Sequence, residues 1–136
     1  MVTHGRRFVF SAPAAGTDGD LFAINADGSG LRHLLVTRRA EWPDDWSPDG
    51  KKILFTRSFS ETSSDLFVMN VDGTGVRRLT RTRGNDSHGS WSPDGSRIVF
   101  ESDRYRWSHL FVMRANGTGR HGLTSGPSND FSPSWG

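Results

Sequence analysis

The chain contains no cysteine. That excludes a disulfide framework, a thiol nucleophile and any thiolate-ligated metal. Long apolar runs are missing too. Nothing approaches the ~20 apolar residues of a membrane-spanning helix, so no membrane insertion is expected. The segment after Met1, VTHGRRFVF, lacks the apolar stretch of a secretory signal. Apolar residues make up only 33% of 136 residues, while glycine (16) and proline (6) interrupt the chain before a helical period can establish itself. There is no G-x-S-x-G elbow, and no Ser, His and acid set that spacing alone can assemble. Composition therefore favours short strands joined by turns, and offers catalysis no residue to start from.

What the chain does contain is repetition. DLFAIN (20–25), DLFVMN (65–70) and HLFVMR (109–114) recur at offsets of 45 and 44. DWSPDGKKILF (45–55) matches SWSPDGSRIVF (90–100), and RRFVF (6–10) matches the end of both. Each unit reads as four short strands. The two central ones, such as Ile53-Leu54-Phe55 and Leu66-Phe67-Val68-Met69, are apolar at consecutive positions. A strand wetted on one face would alternate, so these are expected to be covered on both. SPDG and the Asp-Gly or Asn-Gly of NADGSG, NVDGTG and RANGTG supply the turns. A period near 45 with four strands per unit describes a β-propeller blade. The expected fold is all-β, with three four-stranded blades forming a single propeller domain over residues 1–136.

WSPDGKKILF…DLFVMNVDGTGVRRLT resembles the WD40-like repeat of the TolB family, PD40, over essentially the whole chain. The resemblance implies a six-bladed ring, and such relatives are often periplasmic. The first unit departs most, with MVTHG where WSPDG should stand.

In the alignment Gly5, Gly50 and Gly95 are equivalent, so Met1 falls where Trp46 and Trp91 fall. Trp135 falls there too. The first unit is therefore expected to lack its innermost strand, and residues 129–136 (NDFSPSWG) to supply one, to a partner chain. Two copies would close a six-bladed homodimer and cover the bare end faces. Phe8, Val9, Phe10, Asp130, Phe131, Ser134 and Trp135 are the expected closure residues.

Loops on a rigid scaffold carry most binding. Here the loops that vary between units present Arg38, Arg39, Trp42, Arg57, Arg81, Arg83, His88, Arg104, Tyr105, Arg106, Trp107 and His109. Arginine and aromatic residues are the usual interface anchors, so an unidentified protein or peptide partner is expected, with no cofactor and no enzymatic activity. Trp42, Tyr105 and Trp107 do not recur and would equally serve as sugar-stacking platforms, which keeps a carbohydrate-binding or carbohydrate-degrading propeller as the alternative. A half-propeller fragment without a ligand is a third reading. The six variable loops hold 7 Arg against 11 acids, leaving 10 Lys or Arg against 4 Asp on the strands and opposite turns. That distribution argues against nucleic acid at the loop face. Asp44, Asp45, Asp86 and Asp130 are weak cation candidates near the channel. The NVDGTG-type turns lack the closing glutamate of a calcium loop and read as hairpin chemistry.

Overall fold

A computed structural model describes residues 2–136, so Met1 and its alignment with Trp46 lie outside the described residues. The strands are β1 (Val2–His4), β2 (Arg7–Ala12), β3 (Asp20–Asn25), β4 (Arg32–Leu35), β5 (Glu41–Trp46), β6 (Lys52–Ser60), β7 (Ser63–Asn70), β8 (Arg77–Arg78), β9 (Asp86–Trp91), β10 (Arg97–Tyr105), β11 (Trp107–Arg114) and β12 (His121–Gly122). They form three antiparallel sheets of four strands each, in sequential order. These are the three expected blades.

The doubly apolar strands have the expected cause. Ile53, Phe55, Phe67 and Met69 pack with Val9, Leu21, Ala23 and Leu34 of the first blade. Their neighbours Leu54, Leu66 and Val68 point the other way, onto Ile98, Phe100, Phe111 and Met113 of the third. The middle blade thus buries both faces, and the core consists of two slabs between blades. Strand alternation accounts for the split. Phe55, Phe100, Leu54 and Ile98 are fully buried, and truncating one such phenylalanine to alanine costs about 3–5 kcal/mol.

The turns close by side-chain hydrogen bonds. Asp49 Oδ1 accepts from the Ser47 hydroxyl at 2.6 Å and from the Lys51 N–H at 3.0 Å. Asp72 Oδ1 does the same for Thr74, and Asn116 for Thr118. These turn side chains are committed to hairpin geometry.

The first blade differs from expectation. It does not lack an inner strand: β1 pairs with β2 in the register Val2↔Val9, Thr3↔Phe8 and His4↔Arg7. In the second blade the corresponding pair is Trp46↔Ile53. Residues that align with the Ser47–Asp49 turn have become strand, because Gly5, at φ 58°, permits a tight reversal at once. A local hairpin satisfies edge donors and acceptors at little loop entropy. β1 covers only Arg7–Val9, so Phe10 and the rest of β2 keep an open inner edge.

Residues 129–136 form no strand and lie against the third blade of their own chain. The Asp130 N–H donates to Ser108 O at 2.8 Å, Asn129 Oδ1 accepts from the Ser108 N–H at 2.8 Å, and Trp135 Nε1 donates to Ser90 O at 3.0 Å. The same relationship recurs one blade earlier, where Ser64 bridges Asn85 at the entry to β9. The tail therefore occupies the place of the next blade's innermost strand, with its outer edge unpaired. Among the described residues no strand of the first blade touches the third, so the ring is open.

Candidate functional site

Polar latches join the blades at the loop end. Asp65 begins the apolar half of β7 and is fully buried. Its carboxylate pairs with Arg78 and accepts from Thr80 Oγ1 at 3.1 Å and the Thr82 N–H at 3.3 Å. Thr82 Oγ1 then donates to Asp86 of the next blade at 3.0 Å, and Asp86 meets Arg104 at 3.1 Å. One joint earlier Asp20 holds His33 and the Thr37 N–H, Thr37 Oγ1 donates to Glu41 at 2.6 Å, and Glu41 holds Arg57 at 2.8 Å. Burial raises the Glu41 carboxyl above its usual range despite bonds from Thr37 and Arg57. The third joint carries a histidine in place of the acid. His109 stands where Asp20 and Asp65 stand, and its Nδ1 lies 3.4 Å from Asp130. Hydrogen bonds from Thr124 and His109 hold the Asp130 carboxyl below its ordinary value.

Three of the expected contact residues are thus structural. Arg57 stacks 4.5 Å over the Phe67 ring and Arg104 4.3 Å over Phe111 while each neutralises a buried acid. His109 is only 6% exposed. Arg39 is exposed but tied to Phe59 by its guanidinium. Arg38, Arg81 and Arg83 are exposed. Tyr105 is 68% exposed, and Arg106 sits 5.5 Å over Trp107 on a backbone at φ 79°.

Between the inner strands of the second and third blades lies a cavity of about 640 Å³, lined by Trp42, Asp44, Thr56, Ser58, Ser60, Glu61, Ser64, Asn85, Ser87 and His88. Trp42 is 48% exposed. Asp44 accepts from Thr56 Oγ1 at 2.7 Å, and desolvation pushes its carboxyl up to about 8 in spite of hydrogen bonds from Thr56 and the Gly89 backbone. His88 sits at φ 51°, a left-handed conformation rare for a side-chain-bearing residue. Its Nδ1 faces both Ser87 Oγ, at 3.1 Å, and Glu101 Oε1. A catalytic triad needs the acid and the hydroxyl on opposite ring nitrogens. Here one nitrogen meets both, so this is a positioning contact.

The weak cation candidates do not converge. Asp44 bonds Thr56, Asp45 the next blade's backbone, Asp86 Arg104, and Asp130 His109. Among the described residues no three His, Asp or Glu side chains gather as a metal site. Sequence reasoning missed the hydroxyl wall of the cavity. Thr56 and Ser58 continue the strand of Ile53–Phe55, and their polar period-2 spacing was the available signal.

Three four-stranded antiparallel blades packed face to face, with their innermost strands side by side, define a β-propeller segment. Residues 41–136 match the model of the PD40 TolB beta propeller domain, and the chain belongs to that family. No curated protein sequence matches it. Among solved structures it is similar to a putative TolB from Agrobacterium tumefaciens (23% identity, TM-score 0.77, 88% of this chain and 46% of that one). It is also similar to TolB from Acinetobacter baumannii (22%, 0.73, 87% and 30%). A third similar chain comes from a nidogen/laminin complex (16%, 0.69, 88% and 44%). The chain spans less than half the length of each of these structures, and at such identities the likeness shows the fold alone.

Proposed function

We propose that the chain is a non-catalytic binding scaffold that takes a protein or peptide segment at its loop end, in the cavity between Trp42 and His88. The observation that carries this reading is the half-exposed Trp42 at the rim of a roomy, hydroxyl-lined cavity whose walls are fixed by buried latches. Trp42 offers flat apolar area, and Ser, Thr and Asn side chains offer adaptable bonds to a peptide backbone. Tyr105, Arg106 and Trp107 extend the contact area along the same end. Carbohydrate is the second reading, favoured by the same pairing of an indole with hydroxyls.

The working form of the scaffold is a homodimer closed into a six-bladed ring. Phe8, Phe10, Phe22 and Ile24 are half-buried on the free face of the first blade, at positions equivalent to Ile53, Phe55, Phe67 and Met69. Leu123, equivalent to the buried Leu79, is 54% exposed on the free face of the third. The two open faces therefore carry the residues that make the interior joints, and each suits the other. Partial cover of β2 by β1 leaves the tail of a partner room beside Phe10.

Light scattering tests closure: a mass near twice 15.1 kDa supports it, and a stable folded monomer contradicts it. Selection from a displayed peptide library tests binding. Peptides retained by the native chain and lost on Trp42→Ala support the site; an empty selection beside positive glycan binding selects the carbohydrate reading.

A further inference from the structure

The opposite end of the blades, where the SPDG and DGxG turns gather, has the contrary electrostatics. At the loop end Arg57, Arg78 and Arg104 are each neutralised by a buried acid, and the exposed arginines there, Arg38, Arg81 and Arg83 among them, stand in loops where acids outnumber arginines 11 to 7. At the turn end Arg7 and Arg32, Lys52 and Arg77, and Arg97 and Arg114 stand exposed, and among the described residues none of the six forms an ion pair. Arg7, Lys52 and Arg97 are equivalent, as are Arg32 and Arg77, while Arg114 stands at the position of Asn25 and Asn70; together they border three surface clefts. Arg7 and Arg32 border one of about 310 Å³, Lys52 and Arg77 one of about 620 Å³, and Arg97 and Arg114 one of about 150 Å³. The acids nearby are Asp27, Asp49, Asp72 and Asp94, each already accepting bonds within its own turn. Arg32 is close enough to Asp72 to help depress its pKa. Positive charge still dominates this end.

Apolar side chains stand among these cations. Leu31, directly before Arg32, is 61% exposed, and Val76, directly before Arg77, is 38% exposed. Phosphate backbones of nucleic acid reward charge but not protruding aliphatic groups. A lipid interface rewards both, since anionic headgroups attract the cations while aliphatic tips enter the acyl boundary. Of the exposed aromatic residues that could stack on bases, Trp42 and Tyr105 lie at the other end; Trp135, 38% exposed, borders the SPDG turn and Arg97 at this end, where an indole also suits a lipid interface. We propose that the turn end docks peripherally on an anionic lipid surface, leaving the loop end free to face away. Docking needs only one chain's blades and stands apart from the dimer and from the Trp42 cavity.

Co-sedimentation of the full chain with phosphatidylcholine vesicles, with and without phosphatidylglycerol, tests this. Binding is expected only with phosphatidylglycerol, and is expected to collapse at high salt. The Arg7→Glu/Arg32→Glu/Arg97→Glu variant is expected to bind about a hundredfold more weakly, and Leu31→Ser/Val76→Ser severalfold more weakly. All five side chains are exposed, and circular dichroism checks that each variant is folded. Equal sedimentation with both vesicle types, or undiminished binding by the folded triple variant, overturns the proposal. So does tight binding of a DNA duplex with no binding to anionic vesicles, which assigns the face to nucleic acid.

Discussion

Asp45 and Trp91 belong to different blades, and the Asp45 carboxylate accepts the Trp91 backbone N–H at 2.8 Å. The same oxygen accepts from the Ser90 hydroxyl at 3.2 Å, while the other oxygen caps the Trp46 N–H. One side chain thus stitches two innermost strands that share no ladder. In Asp45→Ala those donors lose their acceptor near the channel. A loss of about 1–3 kcal/mol is expected, read as a lower denaturant midpoint with an unchanged slope. Asp45→Asn keeps one acceptor oxygen and is expected to fall between.

Glu41 and Arg57 give a sharper case. Glu41 is fully buried, and its Oε2 has no hydrogen-bond partner. Arg57→Met would strand a buried carboxylate, at an expected cost of about 3–5 kcal/mol. Adding Glu41→Gln removes the charge and is expected to restore much of that loss. A double-mutant cycle in chemical denaturation checks it; additive effects of the two changes would mean that the pair is not coupled.

Asp44 predicts a pH dependence. In the unfolded chain this carboxyl ionises near its ordinary 3.8, whereas the folded chain keeps the proton up to about 8. Between those values the folded state binds more protons, so this contribution is full at low pH and is lost as pH rises toward 8. Asp44→Asn cannot ionise. Its melting temperature is expected to match the native chain only below the unfolded value, at about pH 3, and to exceed it increasingly up to about pH 8. Parallel pH profiles for the two proteins would refute the shift.

The repeats made the blades legible. WSPDG and DLFVMN fixed the period, and the unbroken apolarity of Ile53–Phe55 announced burial on both faces. The latches were not legible. Arg57 meets Glu41 across 16 residues and Arg104 meets Asp86 across 18, and both partners follow from inter-strand register rather than local pattern. Loop position alone made Arg57, Arg104 and His109 resemble contact residues. The β1 hairpin was hidden for the opposite reason, since alignment with Ser47–Asp49 predicted a turn where local closure at Gly5 made strand. The cavity escaped because the gap between Trp42 and His88 is set by the packing of two blades, which no single strand encodes.

Equivalent glycines test ring closure. A Cβ on Gly73 would stand 2.2 Å from Leu34 O of the preceding blade, and one on Gly117 would stand 2.7 Å from Leu79 O. Both residues have φ +87°. Gly28 occupies the same turn of the first blade at φ +84°, yet meets nothing within 4 Å. In an isolated chain Gly28→Ala should therefore cost only backbone strain, about 1 kcal/mol. Gly73→Ala adds a clash with backbone that cannot swing aside, and should cost distinctly more. In a closed dimer Gly28 would face Leu123 of the second copy, as Gly73 faces Leu34. Gly28→Ala would then shift the protein toward monomer, with the loss growing on dilution. Sedimentation of Gly28→Ala across a dilution series separates the two cases: unchanged mass and a small, concentration-independent loss of stability would leave the joint open.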